Sequence, residues 1–155
     1  MEYTIQPVGT IYTPFKTKEA CPIQGVVDPA SVGRVEILPE FEAALETIET
    51  FTHLYLFYLF DRAGEIILSR PTFLDDAPHG VFASRHPCRP NGIGLSIVRL
   101  DKRVNNVLHV GEIDILDRTP LIDIKPYVPR FDHRPTAGNG WVASKPMSVK
   151  PPDRE

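Results

Sequence analysis

Cysteine is nearly absent from this 155-residue chain, with Cys21 and Cys88 its only thiols. Two are too few for the disulfide framework of a small secreted domain or for a cysteine-rich zinc site. A site combining them with His79 and His86 lacks helix-type or knuckle-type ligand spacing, so no metal is expected. Long apolar runs are also missing. The stretch Leu54 to Phe60 is far shorter than a membrane span, and tyrosines interrupt it. The opening Met1-Glu2-Tyr3-Thr4 lacks the basic-then-apolar order of a secretory signal, so the expected location is the cytoplasm, with no membrane partner. No Gly-Lys-Ser phosphate loop occurs. Gly92-Ile93-Gly94 lacks the third glycine of a dinucleotide fingerprint and leads into strand-like sequence, which argues against a doubly wound nucleotide-binding plan. Nor is the chain basic: a net charge of -3 argues against gripping nucleic acid with its whole surface.

What is present is a chain of one-domain length, 42% hydrophobic and 24% charged, in the range of globular domains. Short β-branched runs separated by proline and glycine predict a barrel or sandwich. The expected strands are Tyr3 to Thr13, Val32 to Leu38, His53 to Phe60, Glu65 to Ser69, Gly80 to Ser84, Ile93 to Arg103, Val107 to Leu116 and Leu121 to Ile124. His53 to Phe60 is apolar at nearly every position, so it is expected to be covered on both faces. Apolar parity reverses after Gly111, which predicts a bulge there. One helix is expected from Pro39, placing Phe41, Ala44, Leu45 and Ile48 on one stripe. The expected division is a domain over 1–141 and a proline-bearing tail over 142–155.

Residues 81 to 100 hold the densest set of unusual choices. Pro87 and Pro90 restrict the backbone, Gly92 and Gly94 permit positive φ or close approach of a ligand, and Arg85 and Arg89 add planar donor forks. Between Val81 and Arg103 five basic residues face the single acid Asp101, a local charge of +4 that leaves -7 elsewhere. Such a patch fits a phosphate-bearing partner meeting Arg89, Arg99, Lys102 and Arg103, and equally a solvated hairpin face. Asp117 to Pro120 reads as a turn. Beyond it Asp123 and Lys125 share one strand face, and with Tyr127 they gather an acid, an amine and a phenol at a strand end. A surface ion pair on an edge strand is the plainer reading of the same residues.

Taken in order, Pro22-Ile23-Gln24-Gly25, His53-Leu54, Phe82 to Ser96, Asp117-Arg118-Thr119-Pro120, Asp123-Ile124-Lys125-Pro126-Tyr127 and Gly140-Trp141 resemble the TrmO (TsaA-like) family. The resemblance implies a mainly β fold, a single-sheeted β-barrel with one or two peripheral helices, that binds S-adenosylmethionine as a homodimer. It implies an enzyme that methylates N6 of threonylcarbamoyladenosine at tRNA position 37. By motif the cofactor contacts would be Pro22, Ile23, Gln24, Asp61, Arg62, Arg85, Leu95, Asp117, Arg118, Thr119 and Pro120. Asp123, Lys125 and Tyr127 would then be catalytic, with Asp123 or Tyr127 accepting the N6 proton and Lys125 polarising the neighbouring carbonyl. The sequence departs from the family pattern at His86 and Cys88, at Gly92 where a second proline is usual, and at Arg118 where glycine is usual. Bacterial members carry a further C-terminal domain, which this length does not accommodate. Two alternatives stay open, a non-catalytic cofactor-binding dimer acting through a protein partner and a methyltransferase with a different acceptor.

Overall fold

The computed structural model describes residues 1–72 and 74–146. Six strands close into an antiparallel barrel: β1 (Gly9–Tyr12), β2 (Val32–Ile37), β3 (His53–Leu59), β6 (Ile93–Val104), β7 (Val107–Gly111) and β8 (Thr119–Pro126). Their order around the wall is β1-β2-β7-β6-β3-β8, with β8 pairing back onto β1. Closure removes the unpaired edges of an open sheet. Two further strands, β4 (Ser69–Thr72) and β5 (Asp75–Gly80), make a separate ribbon.

Strand alternation fills the barrel. β3 turns Leu54, Leu56 and Tyr58 inward and leaves Tyr55, Phe57 and Leu59 half-buried on the outer face. Ile11, Val35, Ile37, Val98, Leu108, Val110 and Leu121 complete the interior. On β6 the inward positions include the small residues Gly94 and Ser96. Gly94 pairs with Tyr58, and a Cβ there would lie 2.2 Å from the Tyr58 ring. This glycine therefore makes room for a core aromatic, and the ring so seated reaches the Ser96 hydroxyl at 2.9 Å.

The expected helix at Pro39 forms as a 3-10 turn over Pro39–Leu45, followed by a second over Ile48–Thr50. Thr47 between them takes φ 66°, which ends the first turn and breaks an α-helical stripe. Leu45 and Ile48 still pack on the core, while Phe41 is exposed. The one α-helix among the described residues, α1 (Pro129–Asp132), is a single turn. Of the expected strands, Glu65 to Ser69 and Gly80 to Ser84 are corrected: pairing occurs instead between β4 and β5, and Val81–Ala83 is a 3-10 turn. The first strand covers only Gly9–Tyr12. The reversal of parity after Val110 is real, since Gly111, Ile113 and Ile115 are all buried. Its mechanism differs from a bulge at Gly111: β7 ends there and Glu112 turns through φ 57°. The bulge sits on the partner strand, where the register with β7 skips Asp101.

The C-terminal segment is tied to the ribbon. Trp141 stacks on His79 with ring centroids 3.9 Å apart, and its indole N–H donates to the Ala83 carbonyl at 2.8 Å. The expected boundary after Trp141 falls inside a 3-10 turn, Gly140–Ser144, and the part of the expected tail from residue 147 onward lies outside the described residues.

Candidate functional site

Beside the ends of β3 and β6 the barrel opens into a cavity of about 340 Å³. Four segments far apart in sequence converge on it: the loop through Cys21 to Gln24, the end of β3 through Asp61 and Arg62, the turn Ser84 to Arg89, and the irregular stretch Asp114 to Leu116 leading to Thr119. Convergence of this kind is a property of barrel closure, which brings strand ends together at one rim.

Most residues assigned by motif to the cofactor meet here. Pro22, Ile23, Gln24, Asp61, Arg62, Arg85, Leu95 and Thr119 all line the cavity. Arg85 donates to the Gln24 side-chain oxygen at 2.6 Å, joining the two loops across the mouth. Arg62 donates to the Thr119 hydroxyl at 2.9 Å and lies 3.2 Å from Asp61, which orients its fork along the rim. Arg89 also lines the cavity, and its Nη1 donates to the carbonyls of Ser84 and His86, bracing the turn. Within that turn Cys88 and His86 are buried, and the Cys88 amide donates to His86 Nδ1 at 3.1 Å. Burial, then the charges of Arg70, Lys18 and Arg89, lower the His86 pKa to about 4, so the ring is neutral near pH 7. Gly92 takes φ 58°, which the proline usual at this position cannot adopt.

The other motif residues lie elsewhere. Asp117 is buried and accepts the Thr13 amide at 2.9 Å and the Lys16 ammonium, which hold its pKa down. Asp117 and Arg118 line a second, more open groove with Lys16, Arg34, Lys102 and His109. Pro120 pairs with Thr10 in the barrel wall. Arg118 takes φ 62°, the left-handed region, which accounts for glycine being usual there.

Asp123, Lys125 and Tyr127 are together, on the outer face of β8 rather than in the cavity lining. Lys125 Nζ is 3.9 Å from Asp123, and the Tyr127 ring lies 5.5 Å from Tyr55. Asp123 is aligned through Phe57 with Leu95, two strand spacings from a cavity residue, or about 10 Å. Of the basic hairpin, Arg99 pairs with Asp101 at 2.7 Å and Arg103 with Glu49 at 3.0 Å, while Lys102 opens into the second groove.

Motif reading passed over a cluster at the cavity floor. Asp114 accepts a 2.5 Å hydrogen bond from Ser96, whose hydroxyl also meets Tyr58. The Asp114 pKa is raised to about 6 by burial, and that of Tyr58 is raised by burial too. The one sequence signal was an acid set between two core isoleucines, Ile113 and Ile115. Among the described residues no group of three or more His, Cys, Asp or Glu could hold a metal, and no helix is long and apolar enough to cross a membrane.

Comparison with known proteins agrees with this geometry. Residues 10–133 match the model of the tRNA-methyltransferase O N-terminal domain. A relative from Pyrococcus abyssi, named as a probable S-adenosyl-L-methionine-binding protein, is 47% identical over 88% of this chain and 74% of its own. The tRNA (adenine(37)-N6)-methyltransferase of Escherichia coli is 31% identical over 94% of this chain and 66% of its own. The crystal structure of TrmO from Pseudomonas aeruginosa superposes with a TM-score of 0.77 at 40% identity, covering 91% of this chain and 63% of that one. The chain thus spans about two thirds of the length of several of these relatives. With the barrel, the converging rim and a family match over most of its length, the chain belongs to the TrmO family.

Proposed function

We propose that this protein is an S-adenosylmethionine-dependent methyltransferase that binds the cofactor in the 340 Å³ cavity and acts on N6 of threonylcarbamoyladenosine at tRNA position 37. The observation that carries the reading is the meeting of eight motif residues, drawn from distant segments, around that one cavity. The lining fits the cofactor by chemistry. Arg85 and Gln24 offer donors for a carboxylate, the side chains of Ile23, Phe60, Leu95 and Ile115 offer apolar walls for a nucleoside, and Asp114 offers negative charge.

When bound, the cofactor supplies an electrophilic methyl group on a positively charged sulfur. The protein's part is positioning, which is worth roughly 7 to 11 kcal/mol when two reactants are held in line. As N6 gains the methyl group it must lose a proton. Asp123 or Tyr127 takes that proton, and Lys125 polarises the adjoining carbonyl or holds the threonyl carboxylate. These residues act at the acceptor side, since the cofactor cavity lies about 10 Å across the wall. The outer face between them carries Phe57, Leu95 and Ile97, with Leu95 and Ile97 close to 40% exposed. A second copy of the chain covering this face would bring acceptor and cofactor sides together, in keeping with a homodimer. Phosphates of the acceptor meet Lys102 and the second groove first. Arg89, Arg99 and Arg103 contribute as they exchange their internal partners for phosphate.

A second reading, cofactor binding without catalysis, draws on the separation between β8's outer face and the cavity. The deciding experiment is transfer of labelled methyl to tRNA with and without the threonylcarbamoyl group, followed by digestion. Label confined to the modified adenosine establishes the reaction. No label from a protein that binds the cofactor favours the second reading. Asp123→Asn and Tyr127→Phe that both turn over normally would remove those residues from the mechanism.

A further inference from the structure

Asp114 is placed with unusual care. Its neighbours Ile113 and Ile115 are buried in the barrel core, and Asp114 between them lines the cavity. Glu112 before it takes φ 57°, and Gly25 is pressed so close to Glu112 that a Cβ would lie 1.6 Å from its carbonyl oxygen. The backbone amides of Asp114 itself and of Gly25 both favour the ionised carboxylate. From β6 the Ser96 hydroxyl donates to it at 2.5 Å, and from β3 Tyr58 meets Ser96 at 2.9 Å. All these partners are neutral. Arg85, on the turn across the cavity, acts on the carboxylate only at a distance.

A desolvated carboxylate held by neutral donors alone is costly, and proteins retain such a group where a ligand brings the missing charge. The cavity lining contains one other acid, Asp61, and that one lies at the rim beside Arg62 at 3.2 Å. The remaining charges around the cavity, Lys18, Arg62, Arg85 and Arg89, are positive. A cationic atom of a bound molecule therefore has one place to go. We propose that Asp114 is the counter-charge for the positively charged centre of the cofactor, and that this contact selects charged S-adenosyl compounds over uncharged ones. The inference rests on the reading of the cavity as the cofactor site and deepens it.

The cofactor has two positive centres, the sulfonium and the α-ammonium, and ligands that differ in them separate the two. S-adenosylhomocysteine keeps only the ammonium, and 5′-methylthioadenosine has neither. Calorimetric titration of the full chain and of Asp114→Asn with all three ligands at pH 8 makes the test. The expected result is a loss on the order of a hundredfold for S-adenosylmethionine with no change for 5′-methylthioadenosine. An equal loss for S-adenosylhomocysteine assigns the contact to the ammonium, and no loss assigns it to the sulfonium.

Lowering the pH supplies a second readout. Asp114 titrates at about 6, so wild-type affinity for S-adenosylmethionine falls about tenfold from pH 7 to pH 5, whereas the Asp114→Asn titration stays flat. Ser96→Ala removes a donor that favours the ionised form, so the midpoint of this pH dependence moves upward. A merely structural role for Ser96 leaves it in place. Equal weakening of all three ligands, or Asp114→Asn curves that superimpose on the wild type, overturns the inference while the cofactor site stands. Failure of the wild-type chain to bind any S-adenosyl compound overturns the proposed function and the inference with it.

Discussion

Replacing Asp114 by Asn should make the ligand-free protein more stable at neutral pH. In the unfolded chain this carboxyl has a pKa near 3.8, and burial in the native cavity raises it to about 6. A shift of about two units, at 1.36 kcal/mol per unit, amounts to about 3 kcal/mol. The sign follows from proton uptake: between these two values the native state holds the proton and the unfolded state does not. Native stability from this group is therefore complete below pH 3.8 and is lost as pH rises through 6. Asn carries no charge and escapes the loss. The advantage of Asp114→Asn over wild type should grow between pH 4 and pH 7 by up to about 3 kcal/mol, a rise in Tm of roughly 6 to 12 °C for a domain of this size. The assay is a series of urea titrations of both proteins across that range. Asp75, Asp117 and Glu49, whose pKa values are lowered, titrate in both proteins, so their effects cancel in the difference. A difference that stays level with pH, or one that shrinks as pH rises, would refute the reasoning. Saturating S-adenosylmethionine should nearly close the gap at pH 8, because a hundredfold tighter complex returns about 2.7 kcal/mol to the wild type.

Three further outcomes test other parts of the structure. Arg118→Gly should raise stability by about 1 kcal/mol, since φ 62° strains any residue with a Cβ; a lowered Tm in a thermal melt would contradict this. Leu56→Ala removes a side chain fully buried in the barrel and should cost about 2 to 5 kcal/mol in urea denaturation, with a loss under 1 kcal/mol excluding it from the packed core. Gly25→Ala should weaken cofactor binding at least about tenfold by forcing the turn away from Glu112 and its amide away from Asp114; unchanged affinity by calorimetry would show that this close approach does not shape the cavity.

Much of the barrel was legible in residue order, because burial of alternate side chains requires period-two sequence. Val32 to Ile37, His53 to Leu59 and Ile93 to Val104 read almost to their observed ends for that reason. Where local patterns and tertiary demands diverged, the reading failed. Phe41, Ala44, Leu45 and Ile48 have helical spacing, yet the cap they form over the barrel needs only Leu45 and Ile48, and a left-handed Thr47 sets them in place. The run Glu65 to Ser69 reads as a strand, yet only Ser69 finds a strand partner, Gly80, since pairing is a property of two segments.

Strand periodicity by itself determined a barrel or sandwich, and the short ordered motifs carried the family resemblance with the barrel and cofactor residues it implies, because both are local features. Only the tertiary structure decided which of those residues share a cavity. It set Asp117, Arg118 and Pro120 apart from Thr119, put Asp123, Lys125 and Tyr127 on the outer face, and paired Arg99 and Arg103 with the exposed acids Asp101 and Glu49. It also drew Asp114, Ser96 and Tyr58 together from three segments. Closing a sheet into a barrel fixes which strand ends become neighbours and which side chains lose water, and neither distance nor desolvation is encoded in any one stretch of chain.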